Sequence, residues 1–268
     1  MTNIFVSSLH YYPIKSCAGI AVEQATLDAK GFVHDRTFMV VDTEGSFLSQ
    51  RAYPQLALVQ PAVADPLLRL NGPNMPELNV EIESQGPADH VVVWGDRCQA
   101  IDQGDEAATW LSRYLGSSVR LVRMADNFAR PVDPDYGVHP NDHVSFADGF
   151  PYLLVAESSL ADLNTHLDET VPMNRFRPNI VIQGSLAYAE DQWEQIQIGE
   201  ISFAVVKPCA RCAITTIDQA TGEKGSEPLP TLAKYRTLPG WQGVMFGQNL
   251  VQLGGGTVHV GDFVQIIK

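Results

Sequence analysis

The chain has 268 residues, with 18 Lys plus Arg against 31 Asp plus Glu, a net charge of −13 and 45% hydrophobic residues. That length and apolar share are enough to bury a sizeable core in one large or two modest domains, which excludes a disordered chain. The acid excess excludes a protein that coats nucleic acid or an anionic membrane, because both demand clustered positive charge.

Residues 1–15 lack a basic region followed by an apolar one, so no secretory signal is expected, and no apolar run is long enough to cross a bilayer. Cys17, Cys98, Cys209 and Cys212 are too few and too unevenly spaced for a disulfide framework, and a cytoplasmic location fits them best. Short β-rich stretches bounded by Gly, Pro, Asn or Asp predict strands over residues 4–9, 37–41, 78–82, 91–94, 180–182, 201–206, 213–217, 249–253 and 263–267. Asp105 is placed to cap a helix over residues 106–115 that stops at Gly116. Ser158 is placed to cap a second helix through His166, with Leu160, Leu163 and Leu167 on one face, and residues 230–236 predict a short third. Many short strands with few helices predict a mainly β, α+β protein: barrel or sandwich with peripheral helices. Residues 124–142, rich in Pro and Asp and without apolar period, read as an interdomain linker or a loop over a site. The chain is accordingly divided into residues 1–120 and 121–268.

Glycine-rich nucleotide motifs, the G-x-S-x-G elbow of serine hydrolases and the H-E-x-x-H of zinc proteases are all absent. What remains is Lys207-Pro208-Cys209-Ala210-Arg211-Cys212. A C-x-x-C pair can be half a zinc site, a redox dithiol, or one soft metal thiolate beside a structural neighbour, and spacing alone does not choose. Zinc lacks a second C-x-x-C to complete its ligand set, and a thioredoxin-like dithiol belongs on a strand-to-helix turn, whereas the β-branched residues after Cys212 read as a strand. The basic residues Lys15, Arg36, Arg51, Arg175, Arg177, Lys207 and Arg211 all lie in short polar segments near strand ends. If they converge, an acidic protein holds one cationic pocket for a phosphate or similar anion. The plainer alternative for each is a local salt bridge, as Asp35 offers Arg36.

An ordered series of motifs carries a family resemblance. It runs through Tyr12-Pro13-Ile14-Lys15-Ser16-Cys17 with Gly19, Asp35-Arg36, Phe146-Ala147-Asp148 with Pro151, and Arg175-Phe176-Arg177-Pro178-Asn179. It continues through Tyr188-Ala189-Glu190-Asp191 with Trp193, the Cys209–Cys212 segment, and Phe246-Gly247-Gln248-Asn249. Together these resemble the MOSC family, named for the molybdenum cofactor sulfurase C-terminal domain, in the branch that includes the mitochondrial amidoxime reducing component. The resemblance implies an N-terminal β-barrel-type region, a MOSC β-barrel domain and a molybdopterin cofactor between them. It places Cys212 at the molybdenum-ligating position and Cys209 at the accompanying non-ligand one. Lys15, Ser16, Arg36, Arg177 and Asn179 fall at positions that hold the pterin and its phosphate. Arg211 beside Cys212 is expected to favour the thiolate. Asp148 falls in the segment lining the cofactor, with backbone contacts expected from Gly149 and Phe150.

The activity so implied is reduction of N-hydroxylated compounds such as amidoximes and hydroxylamines, with Asp148, Asp191 and His139 as candidate proton donors. No iron–sulfur cluster motif is visible, so a separate reductase or ferredoxin-like donor is expected. Pyridoxal phosphate is not expected, because the sulfurases carry it on a further domain. The alternatives are a carrier or chaperone of the cofactor, a sulfur-transfer module, and a zinc or thiol protein using Cys209 with Cys212.

Overall fold

Strand Gln24–Asp28 alternates exposed and buried side chains, the period of a sheet with one wet face, whereas Tyr152–Ala156 is buried at every position, as a strand covered on both faces must be. Such strands dominate the computed structural model, which describes residues 3–268. An eight-stranded sheet runs in the order Val264–Ile266, Gln195–Ile198, Ile201–Arg211, Val244–Gln252, Tyr152–Ala156, Ile180–Gln183, Phe5–Tyr11, Ile20–Val22. Its single parallel pair is Tyr152–Ala156 with Ile180–Gln183, and helix Glu157–Thr165 lies in the crossover that such a pair requires. A four-stranded sheet pairs Phe38–Val41, Arg120–Met124, Asp96–Asp102 and Ala88–Val93, and two three-stranded sheets complete the fold.

Among the described residues the protein is thus mainly β with three α-helices, but the sheets are not closed ladders as a pair of barrels would be. The large sheet curls instead: a lone bridge joins Phe5 to Phe263, and the Val264 amide donates to the Ile4 carbonyl. The first strand of the chain therefore pairs within the sheet built mostly from the second half.

Two large apolar cores form, with three smaller clusters beside them. One gathers Leu9, Tyr152, Leu154, Ile180, Phe203 and Leu250 within the large sheet. The other packs Ile14, Phe38, Val40 and Leu56 against the inner face of helix Gly104–Leu115, which presents Ala107, Trp110, Leu111 and Leu115 at helical spacing. Cys17 belongs to this second core, where burial pushes its thiol up to about 12, and Cys98 is buried in a third cluster. Among the described residues no helix is long and apolar enough to cross a membrane.

Several local expectations need correction. Residues 213–216 form a 3₁₀ turn, not a strand, because the Thr215 and Thr216 hydroxyls donate back to the Cys212 and Ala213 carbonyls and so compete with sheet pairing. The first helix begins at Gly104, whose N–H is taken by the Asp102 carboxylate, while Asp105 sits inside the first turn and pairs with Arg120. The second begins at Glu157 after Ala156, which leaves Ser158 within the helix, and the third covers Leu229–Ala233. Beyond Met124 the segment to residue 142 contains no named strand or helix, as a linker or loop does, and Arg130, 4% exposed, anchors it by donating to the carbonyls of Ser145 and Ala147 and to Asp96.

Candidate functional site: a cationic cleft with two cysteines

Strand Ile201–Arg211 pairs regularly with Val244–Gln252 until its register shifts after Val205 and again after Pro208. Such bulges re-aim the strand end, and here they bring Cys209 and Arg211 to the wall of a cleft. The cleft holds about 740 Å³ of space, open solvent at its mouth included. Lys15, Ser16 and Arg36 from the first half, Asp148 from the middle, and Arg177, Asn179, Arg211 and Cys212 from the second all line it. These eight, the residues that the family resemblance puts at the cofactor, therefore line one cleft.

Three of them, Ser16, Arg36 and Arg177, hold left-handed backbone at φ of 68°, 49° and 55°. Non-glycine residues there cost on the order of 1 kcal/mol or more each, and such strain persists where surrounding structure enforces it. For the two arginines the enforcer is a stack around buried Tyr12. The Arg36 guanidinium lies 4.2 Å from the ring centroid and that of Arg177 4.3 Å, while the phenol donates to the Pro178 carbonyl at 3.0 Å. Burial pushes the Tyr12 phenol up to about 12, although both arginines pull it down, so it stays neutral between two cations. Gly19 makes room for this ring, since a Cβ there would fall 2.4 Å from it.

The charges differ in how they are met. Asp35, 3% exposed, accepts from Arg36 at 2.6 Å and from the Tyr12 amide at 2.8 Å, and Asn179 also accepts from Arg36 at 2.9 Å. Burial raises the Asp35 carboxyl and Arg36 opposes it. Lys15 donates to the Phe146 carbonyl at 2.8 Å and to Asp148 at 2.5 Å. Desolvation lowers the Lys15 ammonium, with Asp148 acting against it. Asp148 faces the open cleft: its walls push the carboxyl up, but Lys15, together with a hydrogen bond from Trp94, outweighs them and holds it well below the usual carboxylate range. Arg177 and Arg211 have no carboxylate partner among the described residues. Arg177 reaches only Gln219 Oε1, at 3.4 Å, and Arg211 donates to the Phe176 carbonyl at 2.6 Å while its Nε is buried without a partner. Four cations thus face two carboxylates, leaving positive charge uncompensated.

Some expectations do not survive. The Arg211 Nη1 donates to Cys209 Sγ at 2.9 Å, so the guanidinium supports the first cysteine and not Cys212. Asp191 is fixed away from the cleft by Arg236 and Gln248, and His139 lies in the 124–142 segment outside the lining, so neither reaches the site as a proton donor. Asp148 bonds through its side chain to Lys15 and Trp94. Arg175 closes on Asp218 at 3.0 Å, Arg51 stacks on Trp94, and Lys207 lies over Tyr136, so these three basic residues are engaged outside the cleft lining. Conversely, the reading from sequence missed Tyr12 as the shared π partner, Gln50 and Gln219 behind Arg177, Trp94 on Asp148, and Arg130. Only Tyr12 carried a signal, as part of the Tyr12–Cys17 motif.

The residues in this cleft are those of a family. Residues 3–118 match the MOSC N-terminal beta barrel domain and residues 141–265 match the MOSC domain. The chain belongs to the MOSC family. It is 35% identical over 98% of its length to mitochondrial amidoxime-reducing component 1 of Mus musculus, covering 82% of that protein, and 37% identical over 86% of its length to mitochondrial amidoxime reducing component 2 of Bos taurus, covering 72%. It is also 31% identical over 86% of its length to the molybdenum cofactor sulfurase of Bos taurus, of which it covers 29%.

Proposed function

We propose that the chain is a molybdenum-cofactor-dependent oxidoreductase that reduces N-hydroxylated compounds, amidoximes and hydroxylamines among them, with electrons from a separate redox partner. The observation that carries this reading is the uncompensated positive charge of one cleft that also holds two accessible cysteines. The donor set fits a phosphorylated, sulfur-rich metal cofactor. Arg177, Arg211 with its orphaned Nε, Arg36, Lys15, Ser16 and Asn179 offer donors to an anionic pterin phosphate, and a thiolate at Cys212 is a soft ligand for the metal. Among the described residues no three His, Cys, Asp or Glu side chains converge as a metal site, which disfavours a zinc centre at Cys209 and Cys212. The relatives named for amidoxime reduction direct the choice of substrate.

When bound, the cofactor supplies two-electron, oxygen-accepting chemistry. The chain's own residues bind and orient it and manage protons. Lys15 Nζ holds a proton that desolvation makes easier to release than that of an exposed lysine, and Asp148, kept ionised, fixes that ammonium at the cleft wall. Cys17 and Cys98 are buried apart from the two cysteines that line the cleft, so the four do not gather as an iron–sulfur ligand set, and this reading assigns electron supply to a separate redox partner.

The test is to produce the chain in a molybdopterin-making host, measure molybdenum and pterin per chain, and supply a chemical reductant with benzamidoxime. Amidine formation that disappears in Cys212→Ala supports the proposal; loaded protein that never yields amidine overturns it. The match to the sulfurase favours one second reading, a cofactor or sulfur carrier, which predicts transfer to an acceptor enzyme without amidine formation.

A further inference from the structure

A half-buried guanidinium normally meets a carboxylate, because an uncompensated charge partly removed from water is costly. Arg36 follows that rule through Asp35. Arg177 does not: desolvation lowers its guanidinium, Arg36 crowds it, and among the described residues its only hydrogen-bond acceptor is the neutral oxygen of Gln219. That oxygen is held with unusual completeness. Gln219 Nε2 donates to Gln50 Oε1 and to the Ile217 carbonyl, both at 3.0 Å, while Gln219 Oε1 accepts from Gln50 Nε2 at 3.1 Å as well as from Arg177. Gln50, fully buried, spends its remaining donor on the Ser16 carbonyl at 2.7 Å. Both donors of each amide are thus used. Flipping the Gln219 amide would turn its NH₂ toward Arg177 and toward the Gln50 NH₂, donor against donor, so the pair has one orientation.

We propose that Gln219, locked by Gln50, is a positioning residue that presents Arg177 to a bound phosphate group with its charge unspent. The proposal rests on the reading of the cleft as the holder of an anionic cofactor. An amide suits this task where a carboxylate would not: it orients the guanidinium through one lone pair yet leaves the full charge for the ligand. The same pair fixes the carbonyl of Ser16 in its left-handed conformation, so one reciprocal contact ties a strained residue from the first half of the chain to one from the second.

The experiment titrates inorganic phosphate into the cofactor-free full chain by calorimetry, with pterin retained after production in a molybdopterin-making host as a parallel readout. Gln219→Glu keeps the shape and neutralises Arg177, and is expected to weaken phosphate binding about tenfold or more, while its second oxygen, set against Gln50 Oε1 and the Ile217 carbonyl, lowers the melting temperature. Gln219→Met removes the acceptor and is expected to weaken binding severalfold. Gln50→Met, which unlocks the amide from behind, should act in the same direction more weakly. In an Arg177→Met background the Gln219 substitutions should add no further loss, whereas a merely structural role would give additive losses. Unchanged phosphate affinity in Gln219→Glu, or additivity in the cycle, overturns the proposal. Failure of the unaltered chain to take up either phosphate or pterin overturns the cofactor reading and the proposal with it.

Discussion

The two ends of strand Ile201–Arg211 obey different rules. At its start Ile201 and Phe203 are 4% and 0% exposed, packed among apolar side chains with an unbroken ladder. At its finish, past two register shifts, Cys209 and Arg211 face a cleft where backbone strain and unmet charge accumulate. The first end stabilises the fold by area removed from water and packing density. The second holds groups in costly states that only a ligand would relieve. One strand therefore carries stability at one end and chemical capability at the other, and the bulges separate the two.

That contrast can be broken in graded steps. Phe203→Ala should cost about 3–5 kcal/mol in chemical denaturation, from lost transfer and a residual cavity; a cost under 1 kcal/mol would show that the apolar end does not anchor the sheet. Asp35→Asn leaves the Arg36 charge half-buried without its carboxylate, and the loss should be about 2–3 kcal/mol; it should exceed that of any substitution at Arg211. Arg211→Met removes an unpaired cation with an orphaned Nε, so folding stability should stay within about 0.5 kcal/mol while phosphate affinity of the cofactor-free chain falls. The smallest effect concerns Glu190, buried away from the cleft with one carboxylate oxygen unpartnered and its carboxyl raised above 4.5 by burial. The folded chain keeps a proton that the unfolded chain releases, so stability is greatest below 4.5 and is lost as pH rises toward the folded value. Glu190→Gln should gain on the parent in melting temperature as pH rises from 4.5, and a difference constant with pH would refute that sign.

Much of the cleft was legible in the sequence because its members lie in short ordered motifs of distinctive residue types. Lys15, Arg177 and Cys212 could be picked out without coordinates. What could not be read was which neighbour meets which charge. Arg211 is adjacent in sequence to Cys212, yet strand geometry alternates side-chain directions and the guanidinium turns to Cys209, two residues back. Residues 213–217 look like a strand by β-branched content, and two threonine hydroxyls defeat that reading by bonding to the backbone. Gln50 and Gln219 give no local sign at all, since their meaning arises only when segments 169 residues apart touch. The strands themselves were legible wherever burial was one-sided or complete; the closure of the sheets was not, because curvature depends on contacts such as that between Phe5 and Phe263.

The left-handed backbone at Ser16, Arg36 and Arg177 has a consequence for anyone who evolves this protein in the laboratory. Glycine at any of the three would relax the main chain and erase a hydroxyl or a cation, so selection for heat tolerance alone should enrich the very replacements that empty the cleft of function. Libraries screened for robustness need a second, ligand-based gate at these positions.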